Sequence, residues 1–264
     1  MPPFVFFGSS YISICSLDEL KKRNVIPSLI VTTGQKTPVF DWAKENNIPC
    51  IAPENLKSDI PELHGYDLFL VVSYGKIIPK HILDLPKNGV LNLHPSLLPK
   101  YRGPSPIPSA ILADDKHTGV TIMKMDEQMD HGPIIAAAPV DFTEWPTTYE
   151  IKEIMAEKGV ELLLQNLNTT PVAQDHSAAT YTKKMKKEDG LIDFADDAYL
   201  NFRKIQAYTP WPSAFYFSQG KRIKITKAHF SNGTLVLDRI IPEGKGEMDF
   251  TPHYTPSTSP HIQP

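Results

Sequence analysis

The stretch D-L-F-L-V-V-S (67–73) holds an unbroken apolar run, Leu68 to Val72, between an aspartate and a serine. A run without polar alternation fits a strand covered on both faces, the usual state of a parallel sheet flanked by helices. Working outward, F-V-F-F-G (4–8) reads as a second such strand ending in a glycine turn, and S-L-I-V-T-T (28–33) as a third. Helical patterns fall at 17–22 and 39–47, and a short helix is expected near 80–85. This strand–helix alternation predicts an α/β protein with a Rossmann-like, mostly parallel sheet. T-G-V-T-I-M-K-M-D (118–126) and P-I-I-A-A-A-P-V (133–140) add two strands joined by E-Q-M-D-H-G. Thr147 and Glu150 then stand at capping-box spacing before a helix running to about residue 166, whose apolar positions form a packing face.

The remaining strand ends in L-N-L-H-P-S-L-L-P-K-Y-R-G-P-S-P (91–106). Alternation at period two puts Asn92 and His94 on one face and Leu91 and Leu93 on the other. Pro95 cannot donate a ladder hydrogen bond, so the strand ends there. Two polar side chains therefore sit at the C-terminal end of a strand, where open α/β sheets keep their ligand sites. An Asn-x-His pair alone is more often a turn or a satisfied polar pair, so its meaning depends on the rest of the chain.

A length of 264 residues allows one large core and a smaller domain. Hydrophobic content of 41% and charged content of 22% fit a soluble globular protein. Cys15 and Cys50 have no metal-ligand or redox spacing, which fits a reduced, cytoplasmic setting. The start, M-P-P-F-V-F-F-G, lacks a basic n-region and its apolar run is short, so neither a signal peptide nor a membrane span is expected. With a formal charge of −3, any nucleic-acid partner must be held by local basic patches.

After Pro171 the character changes. Y-T-K-K-M-K-K-E-D-G is a charged linker, 198–208 reads as a helix, and F-Y-F-S-Q-G-K-R-I-K-I reads as a hairpin turning at Gln219–Gly220. The Pro/Ser/Thr-rich end is expected to be disordered. The predicted organisation is an N-terminal α/β domain over 1–180, a linker and helix over 181–204, a reduced, barrel-like β domain over 205–250 and a tail over 251–264. A monomer is favoured.

Several chemistries find no support. G-S-S (8–10) lacks the G-x-G-x-x-G dinucleotide fingerprint, and the chain has no Walker loop, no G-x-S-x-G elbow and no H-E-x-x-H. His176, His253 and His261 read as solvated loop residues, and His117 and His131 lack a second ligand at metal-like spacing, so no metal is expected. What remains is Asn92, His94 and a carboxylate in M-D-H-G-P-I-I (129–135). An amide and an imidazolium both donate to an oxygen gaining negative charge, while an aspartate orients the histidine and accepts a proton directly or through water. Two donors and a carboxylate, without a serine or cysteine nucleophile, suit direct acyl transfer to an amine.

N-L-H-P-S-L-L-P-K-Y-R-G (92–103), followed by T-G-V-T-I-M-K-M-D-E-Q-M-D-H-G-P-I-I (118–135), resembles the motif pair of the N10-formyltetrahydrofolate-dependent formyltransferases. The resemblance runs from about Phe4 to Phe250. It implies that Asn92, His94 and Asp130 are the catalytic trio, Asp130 being chosen over Asp126 because it directly precedes the H-G pair. It also implies 10-formyltetrahydrofolate as formyl donor, contacted by Ser96, Leu97, Leu98 and Pro99, with V-V-S-Y-G-K-I-I-P (71–79) lining the pterin pocket. Arg102 would contact the acceptor substrate or brace its loop.

Within that family, Y-T-K-K-M-K-K-E-D-G-L-I-D-F (181–194) and A-Y-T-P-W-P-S-A-F (207–215) are similar to the linker and barrel entry of the branch acting on methionyl-tRNA, and E-G-K-G-E-M-D-F (243–250) to its last strand region. The implied acceptor is the methionine amino group on initiator tRNA, in the service of translation initiation; the alternative is an amino sugar on a nucleotide. Two departures fall on parts that the resemblance assigns to tRNA contact. V-T-T-G-Q-K-T-P-V-F enters the helix almost directly, keeping only Lys36 of the usual basic insertion, and the C-terminal strands are shortened after Phe230. The basic runs Lys183, Lys184, Lys186, Lys187 and Lys221, Arg222, Lys224, Lys227 either line a tRNA path or are solvated faces.

Overall fold

A computed structural model describes residues 1–255 of the chain. Two compact units result. The first comprises Met1–Pro106, His117–Asp141 and Lys152–Thr182; the second comprises Ile107–Lys116, Phe142–Ile151 and the described residues from Lys183 onward.

In chain order the first part contains β1 (Phe4–Gly8), α1 (Tyr11–Lys22), β2 (Leu29–Val31), α2 (Pro38–Glu45), β3 (Cys50–Ile51), β4 (Leu68–Val72), α3 (Lys80–Leu83) and β5 (Val90–His94). Next come α4 (Pro106–Ala113), β6 (His117–Lys124), β7 (Ile134–Asp141) and α5 (Thr148–Gln165). Seven strands form one sheet in the order β3-β2-β1-β4-β5-β6-β7. β1 to β5 run parallel, whereas β6 is antiparallel to β5 and β7 to β6. The expected mostly parallel, Rossmann-like layer is present, closed at one side by an antiparallel pair.

Every residue of β1 and β4 is buried, as unbroken apolar strands require, and so is every residue of β5, its polar Asn92 and His94 included. Val5, Phe7, Leu29, Val31, Phe69, Val71 and Val90 share a core with Tyr74, Ile78 and Ile82. Each such aliphatic or aromatic side chain contributes about 1.5–3 kcal/mol relative to exposure. Asn92 stands beside Val71 in the parallel register, on the face that carries Val90. The two polar residues thus continue a core face at its C-terminal edge.

α1 begins six residues before the helical pattern read from the sequence. Its first turns, Y-I-S-I-C-S, are poor helix formers. Tertiary contacts override that preference: the Ser13 hydroxyl donates to the Val72 carbonyl at 2.7 Å. A side chain at position 8 would collide with Ser13, so the close approach of α1 to β1 needs Gly8. At α5 the expected capping box is present, with the Thr147 N–H donating to Glu150 Oε2 at 2.7 Å and the Glu150 N–H to Thr147 Oγ1 at 3.2 Å.

The second unit contains α6 (Ala198–Tyr208), β8 (Phe215–Ser218), β9 (Lys221–Ser231), β10 (Thr234–Pro242) and β11 (Met248–Asp249). The strands form one antiparallel sheet in the order β11-β10-β9-β8, with α6 packed on β9 and β10. Gln219–Gly220 (φ 50° and 76°) and Asn232–Gly233 (φ 51° and 77°) take positive φ at both positions, the type I′ geometry that suits two-residue hairpins. A single cut near residue 180 was expected, yet two earlier segments join this unit through hydrogen bonds. Trp145 Nε1 donates to Asp114 at 2.7 Å, Arg203 to the Leu112 carbonyl at 2.7 Å and Gln206 to the Trp145 carbonyl at 2.8 Å. Order also continues past 250, because Pro252–Tyr254 form a 3-10 turn and the Tyr254 carbonyl accepts from the Tyr216 hydroxyl at 2.7 Å. The rest of the tail read as disordered, 256–264, lies outside the described residues.

Candidate active site

β5 stops at Pro95, as its missing N–H dictates, and the chain enters a loop that returns over the strand end. Asn92 and His94 are 8% and 4% exposed. Asn92 Nδ2 lies 3.4 Å from Asp130 Oδ1, and His94 Nδ1 lies 3.6 Å from the same oxygen. Both distances are at or beyond the long end of a hydrogen bond. His94 Nε2 faces the Tyr101 carbonyl at 3.0 Å. A carbonyl only accepts, so Nε2 carries a hydrogen there and the Nδ1 edge faces the carboxylate.

Asp130 comes from the loop between β6 and β7 and has a left-handed backbone (φ 50°). Its Oδ2 accepts the Gly103 N–H at 2.6 Å. Asp126, the other carboxylate of that loop, is engaged by His131 Nδ1 at 2.7 Å. The structure therefore brings together Asn92, His94 and Asp130, and leaves Asp126 outside the group.

The segment Ser96–Pro99 is braced from within. Ser96 is fully buried, its hydroxyl donates to the Lys100 carbonyl at 2.7 Å, and its carbonyl accepts from the Thr121 hydroxyl at 2.7 Å. The Leu98 N–H donates to Thr121 Oγ1 at 3.1 Å, and the Leu98 side chain is buried. Leu97 and Pro99 are half-buried, so on this segment they are the side chains with surface to offer. Ser96 instead fixes the loop.

In 71–79, positive φ at Ser73 (48°) and Gly75 (85°) turns the chain sharply after β4. Tyr74 folds into the core edge-on to Phe7, with ring centroids 5.3 Å apart, and burial pushes its phenol up to about 12. Ile77 stands 83% exposed.

Arg102 settles between its two sequence readings: it is 1% exposed and braces its loop. Its Nη2 donates to Gln174 Oε1 at 2.6 Å and to His176 Nδ1 at 2.9 Å. His176 is exposed, as expected of a solvated loop residue, but it is no bystander: it accepts from Arg102 and stacks on His131 with centroids 4.0 Å apart. Gln174 and Thr180 escaped the sequence reading entirely, and Tyr181 and Thr182 were read only as the start of the linker. The Thr180 hydroxyl accepts the Tyr101 N–H at 2.8 Å, and Thr182 and Arg102 share a backbone bond of 2.7 Å. A side chain at Gly103 (φ 112°) would strike Thr182, so the two segments meet only because residue 103 is glycine.

In the second unit, Lys183, Lys184, Lys186 and Lys187 are exposed, as are Lys221, Lys224 and Lys227. Arg222 differs, because its guanidinium stacks 3.7 Å over the Phe215 ring and is partly withdrawn from solvent. Among the described residues no helix is long and apolar enough to cross a membrane.

The formyl transferase profile matches residues 18–167, and that of the formyl transferase C-terminal domain matches 184–236. The chain belongs to the formyl transferase family. Over 260 residues it is 35% identical to methionyl-tRNA formyltransferase of Thermus thermophilus, covering 90% of this chain and 85% of the relative. Methionyl-tRNA formyltransferase of Chloroflexus aurantiacus is 41% identical over 216 residues, or 77% of this chain and 70% of the relative. In fold, the chain is similar to the methionyl-tRNA formyltransferase structure from Clostridium thermocellum, with a TM-score of 0.67 at 21% identity over 93% of this chain and all of that one. The C-terminal match of the formyl transferase family covers α6, β8, β9 and the start of β10.

Proposed function

We propose that this formyltransferase moves the formyl group of 10-formyltetrahydrofolate onto the methionine amino group of initiator methionyl-tRNA, in the cytoplasm. The observation that carries the chemistry is the convergence of Asn92 Nδ2 and His94 Nδ1 on one Asp130 oxygen, at 3.4 and 3.6 Å. The acceptor follows from identity of 35–41% to methionyl-tRNA formyltransferases over most of the chain. Residues around the site suit a folate: Leu97 and Pro99 give half-buried apolar surface, and the turn at Ser73–Gly75 puts main-chain groups beside the end of β4.

In the reaction, the amine forms a C–N bond to the formyl carbon and the carbonyl electron pair moves onto oxygen. Asn92 and protonated His94 donate to that oxyanion. Asp130, 3.6 Å from His94 Nδ1, favours the charged ring through space. It leaves the Nδ1–H for the oxyanion, since Nε2 is committed to the Tyr101 carbonyl. Asp130 also takes the amine proton, directly or through water, for return to the departing folate nitrogen. The old C–N bond then breaks and the carbonyl re-forms. Tyr101 keeps the His94 ring in plane by accepting from Nε2.

Two measurements test this reading. Purified protein given 10-formyltetrahydrofolate is expected to formylate methionyl-tRNA; formylation of a nucleotide amino sugar, with none of methionyl-tRNA at low salt, would reverse the acceptor assignment. A non-reactive folate analogue at 100 times its Kd should stabilise the fold by about 2.7 kcal/mol, read as a rise in Tm. No shift at saturation would remove the pocket at 71–79 and 96–99.

The lysines of the second unit carry a further expectation. With few phosphates neutralised, methionyl-tRNA use should depend only shallowly on salt. Reversing charge in the double variant Lys184→Glu, Lys187→Glu should raise KM for tRNA and leave KM for the formyl donor unchanged. Equal change in both constants would mean that these lysines act on stability instead.

A further inference from the structure

Gln174 stands 44 residues from Asp130 in sequence, yet its side-chain amide is fully committed around that residue. Nε2 donates to the Asp130 carbonyl at 3.0 Å and to the Gly132 carbonyl at 2.7 Å. Oε1 accepts from Arg102 Nη2 at 2.6 Å. The orientation of the amide is dictated by its partners, since the reverse would set its oxygen against two carbonyls and its NH₂ against a guanidinium. Arg102 directly precedes Gly103, whose N–H holds Asp130 Oδ2 at 2.6 Å. A closed circuit results: from the Asp130 carboxylate to Gly103, through Arg102 and the Gln174 amide, and back to the Asp130 main chain. It ties the loop after His94 to the loop carrying Asp130.

The circuit fixes Asp130 in one conformation. Its left-handed backbone (φ 50°) is one that aspartate adopts more readily than most residues, and the bond to its carbonyl holds it there. Gln174 is 6% exposed, so water does not compete for its bonds. We infer that Gln174 is a positioning residue for the reaction, fixing the Asp130 carboxylate against His94 by clamping the Asp130 and Gly132 carbonyls to Arg102. This rests on Asp130 being the catalytic carboxylate, as proposed above.

The test uses the full chain with methionyl-tRNA and 10-formyltetrahydrofolate, and compares Gln174→Ala, Gln174→Glu, Asp130→Asn and the Gln174→Ala, Asp130→Asn double variant. Gln174→Ala is expected to lower kcat on the order of 10²-fold, the cost of a small misplacement of a reacting group, with KM for the formyl donor unchanged. Gln174→Glu keeps a partner for Arg102 but turns two donors into acceptors facing two carbonyls. It should lose kcat as Gln174→Ala does; rescue by glutamate would reduce Gln174 to a mere partner of Arg102 and overturn the inference. In the Asp130→Asn background, Gln174→Ala should cost nothing further, because it acts through Asp130; additive losses would likewise overturn it. Should Gln174→Ala fail to fold, the near-isosteric Gln174→Glu carries the comparison. Full turnover in Asp130→Asn would remove the trio and this inference together, whereas loss in Asp130→Asn with none in Gln174→Ala would remove this inference alone.

Discussion

Asn92→Ala is expected to fold normally and to turn over about 10²–10³-fold more slowly, a loss of about 2.7–4 kcal/mol of transition-state stabilisation. The strand is insensitive to the change, because β5 is paired on both sides: residue 92 stands opposite Val71 on β4 and Met123 on β6. Only the amide is lost. Its bond to Asp130 is long, at 3.4 Å, so little ground-state stability goes with it. In the proposed reaction the amide donates to an oxygen that is negative only while the carbon is tetrahedral. The loss should therefore fall on kcat, with KM for donor and acceptor held near their original values. Asn92→Asp should be worse, since a second carboxylate beside Asp130 adds like-charge repulsion to the missing donor. Turnover near the original in well-folded Asn92→Ala, with an unchanged Tm, would place the oxyanion donors elsewhere.

How much of this was legible beforehand follows from the physics of each element. β1 and β4 could be read because a strand covered on both faces leaves an apolar run in sequence. Asn92 and His94 could be read because strand alternation and Pro95 together fix a face and an end. Asp130 came from a motif, which already set it apart from Asp126 by its place before the H-G pair, and the structure adds that Asp126 is engaged by His131 at 2.7 Å. α1 was seen in half because its serines favour other local conformations, a preference offset at Ser13 by its bond to Val72 on β4. α4 was hidden behind P-I-P, although proline is acceptable in a first helical turn. β3 is two residues long and carries no periodic signal. The roles of Gln174, His176 and Thr180 were invisible for a different reason: they act over 42 to 79 residues through polar groups, and such pairings leave no local pattern. The antiparallel turn of β6 against β5 also needed the structure, since direction is set by the long connection through α4 and not by strand composition.

Gly132→Ala should cost both stability and turnover. A methyl group at residue 132 would overlap the Lys124 carbonyl oxygen, which is backbone and cannot swing aside. Lys124 is itself pinned, because its N–H donates to the Pro133 carbonyl at 2.9 Å and it pairs with Leu91 across β5 and β6. Relief must come from the Asp130–Gly132 turn, whose carbonyls the Gln174 amide holds at 3.0 and 2.7 Å. Overpacking of this kind costs about 1–3 kcal/mol, which thermal melting would read directly. The turn that moves is the one presenting the Asp130 carboxylate to His94, so kcat should fall on the order of 10²-fold at temperatures where the variant is still folded. Gly34→Ala is the matched control, because a methyl group there meets nothing within 4 Å, and it should stay within about 0.5 kcal/mol of the parent. The two readouts separate stability from placement: a lower Tm with full turnover would mean that the loop yields without moving Asp130, and that the carboxylate is held by Gly103 alone.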